Sequence, residues 1–335
     1  MNKIIKIAVD AMGGDGSPKK IIDGIIHHFK NNKNSYYQIF GDEEKILNHI
    51  KNELPTTSFK IIHTTDVVMG TDSPLEGAKR GKNTSMWLAV QSVKKRDSDI
   101  VISAGNTGAL LVISKLNLKM IENIDKPALS ALWPNKKGMS VVLDLGANIE
   151  CSPKNLIDFS IMGSSLFKSL YPSDNPKVAL LNIGSEELKG NEVIKETYQQ
   201  LSQRKNDNFE FNGYIEGNQL MNGDVNVIVA DGFTGNVALK TAEGTANFIT
   251  SELKKAMTGN IIGKMSSLLN IFNLRKFKAR LDPRLYNGAI FIGLDSPVIK
   301  SHGGTDYIGF SNSLSVCTKI VSGNLIEKIR SNINL

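Results

Sequence analysis

Nine short apolar runs punctuate the chain, at 4–9, 37–40, 60–63, 100–103, 140–144, 177–182, 209–211, 226–230 and 289–294. Several carry no interior polar residue, the pattern of strands covered on both faces. Helical periodicity fills most of the gaps. One helix opens at Ser17-Pro18, with Ser17 read as N-cap and Pro18 at the first helical position. Others are expected over 84–95, 107–119, 154–170, 186–202, 235–257 and 314–329. This alternation predicts an α/β sheet with helices on both faces. With 335 residues, 41% of them hydrophobic, the chain can fill one large core. No repeat or linker divides it, so a single α/β domain over 1–335 is expected.

Five of the runs end alike, in loops of Gly, Asn and Asp that lead into a helix, within 6–18, 99–110, 140–150, 177–191 and 225–240. In a parallel sheet such loops gather at one edge, where ligands bind. The expectation is a crevice for an anion. Gly13, Gly14 and Gly16 follow the first strand, as a phosphate cradle or as a tight turn. Ser103, Gly105, Asn106 and Thr107 form the second junction, where Asn106 caps a helix or offers its amide to a ligand. Asp144, Gly146 and Asn148 carry the same ambiguity. Gly184, Lys189 and Gly190 place a point charge beside a strand end, suited to phosphate, unless Lys189 is merely an exposed helical lysine. Asp231, Thr234, Gly235 and Asn236 make the fifth turn, with Asn236 as an oxyanion donor or part of a capping network. Near the C-terminus, VIKSHGGTD offers Lys300, Ser301 and His302. Neither GxGxxG nor GxxxxGK[ST] occurs, which removes the best support for a dinucleotide fold or a P-loop.

Charge adds a second feature. The net charge is +7, and residues 251–280 hold seven Lys and Arg against one acid. The remainder is near neutral, which argues against a nucleic-acid face. Within about 251–284, Ile261, Ile262, Met265, Leu268, Leu269 and Phe272 share one helical face. This basic amphipathic stretch suits an anionic membrane surface, an acidic carrier protein or a structural seam. Two cysteines, Cys151 and Cys317, cannot build a disulfide framework or a cysteine-rich zinc site. No signal-peptide pattern opens the chain, and no apolar run approaches the ~18 residues of a membrane span. A cytoplasmic location is expected.

The motifs AVDAMGGDGSP, SAGNTGAL, LDLGAN, LLNIGSEELKGN, VADGFTGNVALKTAEG and IKSHGGTD, in this order from residue 7 to about 306, closely resemble the bacterial phosphate acyltransferases of phospholipid synthesis, the PlsX family. Departures are mild: Thr84 replaces a serine in KRGKNTSM, Asp66 stands where Glu is expected, and Gly70 where an acid is common. The resemblance implies a three-layer α/β/α sandwich like isocitrate and isopropylmalate dehydrogenases, related to phosphotransacetylases. It implies transfer of a fatty acyl group from acyl carrier protein to inorganic phosphate, in a homodimer that needs no metal or organic cofactor. The acyl phosphate would pass to a membrane glycerol-3-phosphate acyltransferase, so contact with the inner face of the cell membrane is expected. Lys189 and Asn236 match motif positions that the resemblance marks as functional. His302 would contact phosphate or protonate the leaving thiolate.

The chemistry agrees with the residue types. Phosphate is a competent nucleophile near neutrality, and a thiol with a pKa of about 8.5 is a good leaving group. Neither needs a Ser-His-Asp set. Three rivals remain at this level: a CoA-dependent enzyme for short acyl groups, a hydride-transfer enzyme, and a non-catalytic lipid-surface protein.

Overall fold

The computed structural model describes residues 4–172, 175–204, 208–260, 265–266, 268–280 and 282–333. Eleven strands form one sheet: β1 (Ile5–Asp10), β2 (Ser35–Gly41), β3 (Phe59–His63), β4 (Ile100–Ser103), β5 (Ala128–Asn135), β6 (Gly138–Leu143), β7 (Lys177–Asn182), β8 (Glu210–Glu216), β9 (Val227–Val229), β10 (Ala289–Ile292) and β11 (Val298–Lys300). Their order is β3-β2-β1-β4-β11-β10-β5-β6-β9-β7-β8. The helices are α1 (Lys19–Asn31), α2 (Glu43–Ile50), α3 (Pro74–Lys79), α4 (Ser85–Lys94), α5 (Thr107–Asn117), α6 (Pro153–Leu170), α7 (Glu192–Gln203), α8 (Gly232–Thr258), α9 (Ile271–Arg280), α10 (Tyr307–Ser322) and α11 (Leu325–Ile333).

Strand alternation divides the core between two faces. Ile7 and Val9 of β1, Ile100 and Ile102 of β4, and Val141 and Leu143 of β6 join the cluster that α1, α6 and α10 also enter. The residues between them point the other way. Ala8 and Val101 meet α4 and α5, while Val142, Ala179 and Ile228 meet Ala238, Leu239 and Ala242 of α8. The result is the expected three-layer arrangement.

The expectation of one ligand edge is corrected by strand direction. β4 and β11 run parallel, but β11–β10, β10–β5 and β5–β6 are each antiparallel. Three reversals leave β6, β9 and β7 running opposite to β1, β4 and β11. The carboxyl-end loops therefore divide, two at one edge of the sheet and three at the other.

Local expectations also change. β5 and β11 were not predicted: β5 has no regular polar-apolar period and contains Pro134, and β11 has only three residues. The helix expected over 186–202 starts at Glu192, because Asn191 caps it by accepting from the Ile194 amide at 2.9 Å. The helix expected over 314–329 is two helices, separated at Gly323 and Asn324. Ser17 is no N-cap. α1 begins at Lys19 after Pro18, and the Ser17 hydroxyl donates to the Gly13 carbonyl at 2.6 Å.

Candidate active site

At the edge formed by β6, β9 and β7, the loop after β6 is organised by Asp144. Its carboxylate is fully buried. One oxygen accepts from the amides of Leu129 (2.9 Å), Gly146 (3.2 Å) and Ala147 (3.0 Å). The other accepts from the amide and side chain of Asn148, both at 2.8 Å. Asn148 Nδ2 also donates to Pro127 O at 2.7 Å. Burial raises the Asp144 pKa, and these N–H groups pull it back. Both side chains thus hold the loop in shape. The sequence left this structural role open beside a ligand-binding one.

The next strand end starts α8. Asp231 caps it, accepting from the Thr234 amide and hydroxyl at 2.8 Å each. A Cβ on Gly235 would overlap the Asp144 carbonyl oxygen, so the first turn of α8 presses directly on the β6 loop. This leaves Asn236 exposed at the helix start, beside Gly146, where an added Cβ would sit 3.6 Å from Asn236 Cβ and Cγ.

The third loop at this edge bends back on β7. Asn182 Nδ2 donates to Lys189 O at 3.1 Å, and the Lys189 amide donates to Glu186 O at 2.9 Å. Gly190 has φ +94°, and a side chain there would meet Asn182 Oδ1 at 2.6 Å, so only glycine fits. Gly184 packs under the Lys189 stem. Lys189 itself is exposed, and among the described residues it has no ion-pair partner. Large apolar side chains stand bare around these loops: Ile149, Ile183, Leu188, Phe233 and Val237, with Leu188 87% exposed.

At the opposite edge, Asp10, Ser103 and Lys300 occupy one row of the sheet. Buried Asp10 accepts from Ser103 Oγ (2.6 Å), Ser85 Oγ (2.7 Å) and the Met12 amide (3.2 Å). Burial raises its pKa against the pull of the two serines. Gly13 lies so close to Gly105 that a Cβ would come 2.6 Å from the Gly105 amide. Gly14 and Gly16 are exposed turn residues of the same loop. Asn106 caps α5 by accepting from Ala109 N at 3.0 Å, and its amide donates to Asp72 O (2.8 Å) and Gly70 O (3.2 Å). Both ends of that side chain are therefore engaged, while Thr107 beside it is exposed. His302 is exposed, with Nδ1 accepting from Gly304 N at 3.2 Å, which places the proton of a neutral ring on Nε2.

Lys189 and Asn236 are thus gathered at one edge with Asp144, Gly146, Asn148, Gly184, Gly190, Asp231, Thr234 and Gly235. Gly13, Gly14, Gly16, Ser103, Gly105, Asn106, Thr107 and His302 collect at the other. Sequence reasoning passed over Asp10, Ser85 and Lys20 and gave Lys300 no role. The available signal was a charge closing an apolar strand run, as in IAVD and VIK.

A family model described as "Fatty acid synthesis protein" matches residues 5–328. The chain belongs to that family. This fatty acid synthesis protein family member is similar to the phosphate acyltransferase of Pelagibacter ubique strain HTCC1062, at 87% identity over 333 residues, covering 99% of this chain and 100% of the relative. It is 42% identical to the phosphate acyltransferase of Rhodospirillum rubrum over 337 residues, covering 99% and 95%. In fold it is similar to the EutD phosphotransacetylase from Staphylococcus aureus, with a TM-score of 0.61 over 95% of this chain and 94% of that one, at 15% identity. The α/β fold implied by the resemblance holds, and the phosphotransacetylase shares it.

Proposed function

We propose that the chain is a phosphate acyltransferase that moves a fatty acyl group from acyl carrier protein to inorganic phosphate, with Lys189 and Asn236 as its acting side chains. One observation carries this assignment of the site. A lysine with no ion-pair partner among the described residues and an exposed asparagine at a helix start share a sheet edge with five bare apolar side chains. The reaction needs both characters at once, a charge for phosphate and a dry surface for an acyl chain.

In the step itself, a phosphate oxygen attacks the thioester carbonyl. The C–O bond forms, the tetrahedral oxyanion collapses, and the C–S bond breaks to release the carrier thiolate. Lys189 holds the phosphate and offsets its charge. Asn236 Nδ2 donates to the carbonyl oxygen as it becomes anionic. One such donor contributes about 3–4 kcal/mol, and alignment of the two reactants about 7–11 kcal/mol.

The partners follow the same reading. The outer part of α8 bears exposed Phe248, Ile249 and Leu253, a face for the second copy of a homodimer. Met265, Leu268, Leu269 and Phe272 are all more than half exposed, beside exposed Arg275 and Lys276, and form the membrane-facing patch. Ile261 and Ile262 lie outside the described residues. Among the described residues no helix is long and apolar enough to cross a membrane. The enzyme works in the cytoplasm, touching the inner face of the membrane, where a glycerol-3-phosphate acyltransferase takes the acyl phosphate.

Incubation with palmitoyl carrier protein and labelled phosphate tests the reaction. Label should enter an acyl phosphate as free carrier thiol appears in equal amount. Thiol release that does not depend on phosphate would refute the reading, and turnover only with acyl-CoA would replace the donor.

A further inference from the structure

The edge opposite Lys189 contains two ammonium groups that the proposed reaction does not use. Lys300 closes β11 and is more than nine-tenths buried. Its Nζ donates to the Ser301 carbonyl. Lys20, in the first turn of α1, donates to the Gly303 carbonyl, which also accepts from the Asp15 amide at 3.1 Å. The two lysines therefore grip the tripeptide 301–303 from two sides. Each ammonium has three N–H groups and spends one of them there.

The acids nearby do not neutralise this pair. Asp10, on β1, is already engaged by Ser85, Ser103 and the Met12 amide. Asp15, in the loop before α1, is exposed to solvent and acts on Lys20 through the field alone. β4 and α4 contribute only the hydroxyls of Ser103 and Ser85. Asp306, which caps α10, is paired with Arg284 at 2.8 Å. His302 is the remaining titratable group of the 301–303 loop. Burial lowers the Lys300 pKa to about 8, with the field of Lys20 pressing it down and Asp10 pulling it up. Burial lowers Lys20 as well.

Two cations held together against their own repulsion, without a carboxylate whose oxygens are free, are stabilised by a bound dianion. The approach is open. Gly14 is exposed, and an added Cβ there would come 3.1 Å from Lys20 Nζ, so the absent side chain is what leaves that ammonium uncovered.

We propose that Lys20 and Lys300, set against the 301–303 loop, form a binding site for a phosphoryl dianion at the β1–β4–β11 edge. The occupant is inorganic phosphate or, in its place, the singly charged phosphodiester of the acyl donor. The proposal takes its ligand from the reaction proposed above but not the role given there to Lys189.

Calorimetric titration of the full chain with inorganic phosphate, at fixed ionic strength, tests it. Lys20→Met and Lys300→Met should each weaken the binding of phosphate, or of acyl carrier protein titrated in the same way, at least tenfold. Lys20 is half-buried, so Lys20→Met decides the matter if Lys300→Met does not fold. Affinities within twofold of wild type for both probes in Lys20→Met would overturn the site. Loss confined to Lys189→Ala would also overturn it, leaving the proposed reaction intact. Conversely, a wild-type protein that binds phosphate through these lysines yet forms no acyl phosphate removes the reaction and keeps the site. Steady-state kinetics separate the two occupants. A tenfold rise in KM for phosphate alone in Lys20→Met identifies free phosphate, and a rise in KM for the donor alone identifies the donor's phosphoryl group.

Discussion

Exposure distinguishes amide side chains that the sequence presents as equals. Asn106, Asn148 and Asn236 each sit in a Gly-rich loop after a strand. Asn106 and Asn148 spend their amides on main-chain carbonyls, while Asn236 stands at the surface. Such a distinction was not legible, because capping and ligand binding call on the same residue types at the same spacing. Lys189 and Asn236 were legible as motif residues, yet the charge pair at Lys20 and Lys300 was not, since 280 residues separate its members. Two predictions belong here. Lys189→Ala should lower acyl phosphate formation by on the order of 10²–10³, an effect of the size seen for a lost transition-state contact, with an unchanged melting temperature. Wild-type turnover in that variant would remove Lys189 from the mechanism. Asp144→Ala strips the acceptor from five N–H bonds and should cost at least about 3 kcal/mol in urea unfolding, whatever its effect on turnover.

Elements were recovered where a single pattern dominates. The bounds of β4 and β7 agree with their apolar runs, because strands buried on both faces need no alternation. β5 escaped because its alternation is imperfect and it ends in Pro-Asn, and β11 because three residues make no period. The glycines of the fifth junction read as room for a ligand, but the contact at Gly235 is between α8 and the β6 loop. Gly235→Ala should therefore push α8 off that loop. We expect a loss of about 1–3 kcal/mol in stability, typical of overpacking, and at least a tenfold loss of turnover as Asn236 shifts. A variant with normal activity would show that Asn236 does not depend on this packing. For the segment before and within α9, Leu268→Glu with Phe272→Glu should abolish flotation with anionic liposomes while carrier-dependent turnover in solution persists. Undiminished flotation would dismiss the membrane patch.

Across the molecule, acid sensitivity has an identifiable source in the core between α1 and β2. His28 is buried, with Nδ1 2.7 Å from the Tyr37 hydroxyl, and Nε2 has no partner among the described residues. Burial holds its pKa down at about 4, against 6.5 for the free group. Above pH 6.5 the ring is neutral whether the chain is folded or not, and its contribution is intact. Between 6.5 and about 4 the unfolded chain takes up the proton and the folded one does not, so stability falls as pH falls, by up to about 3 kcal/mol. Urea unfolding at pH 7 and pH 4.5 should show this loss in the wild type and a smaller one in His28→Gln. Equal losses would place the sensitivity elsewhere.

The reversal of strand direction at the sheet's centre also bears on how the chain is made. β4 and β5 flank a gap that only β11 and β10 can fill, and those strands lie at the far end of the sequence. The 153 residues between Asn135 and Ala289 must leave the ribosome first. At about 5–20 residues per second this takes roughly 8–30 s. In the later part of that interval, once β9 has been made, two half-sheets with bare inner edges share one nascent chain, each a template for pairing with a stranger. The joint that makes the molecule one sheet is the last to be synthesised, and chaperone dependence in the cell should concentrate on the wait for it.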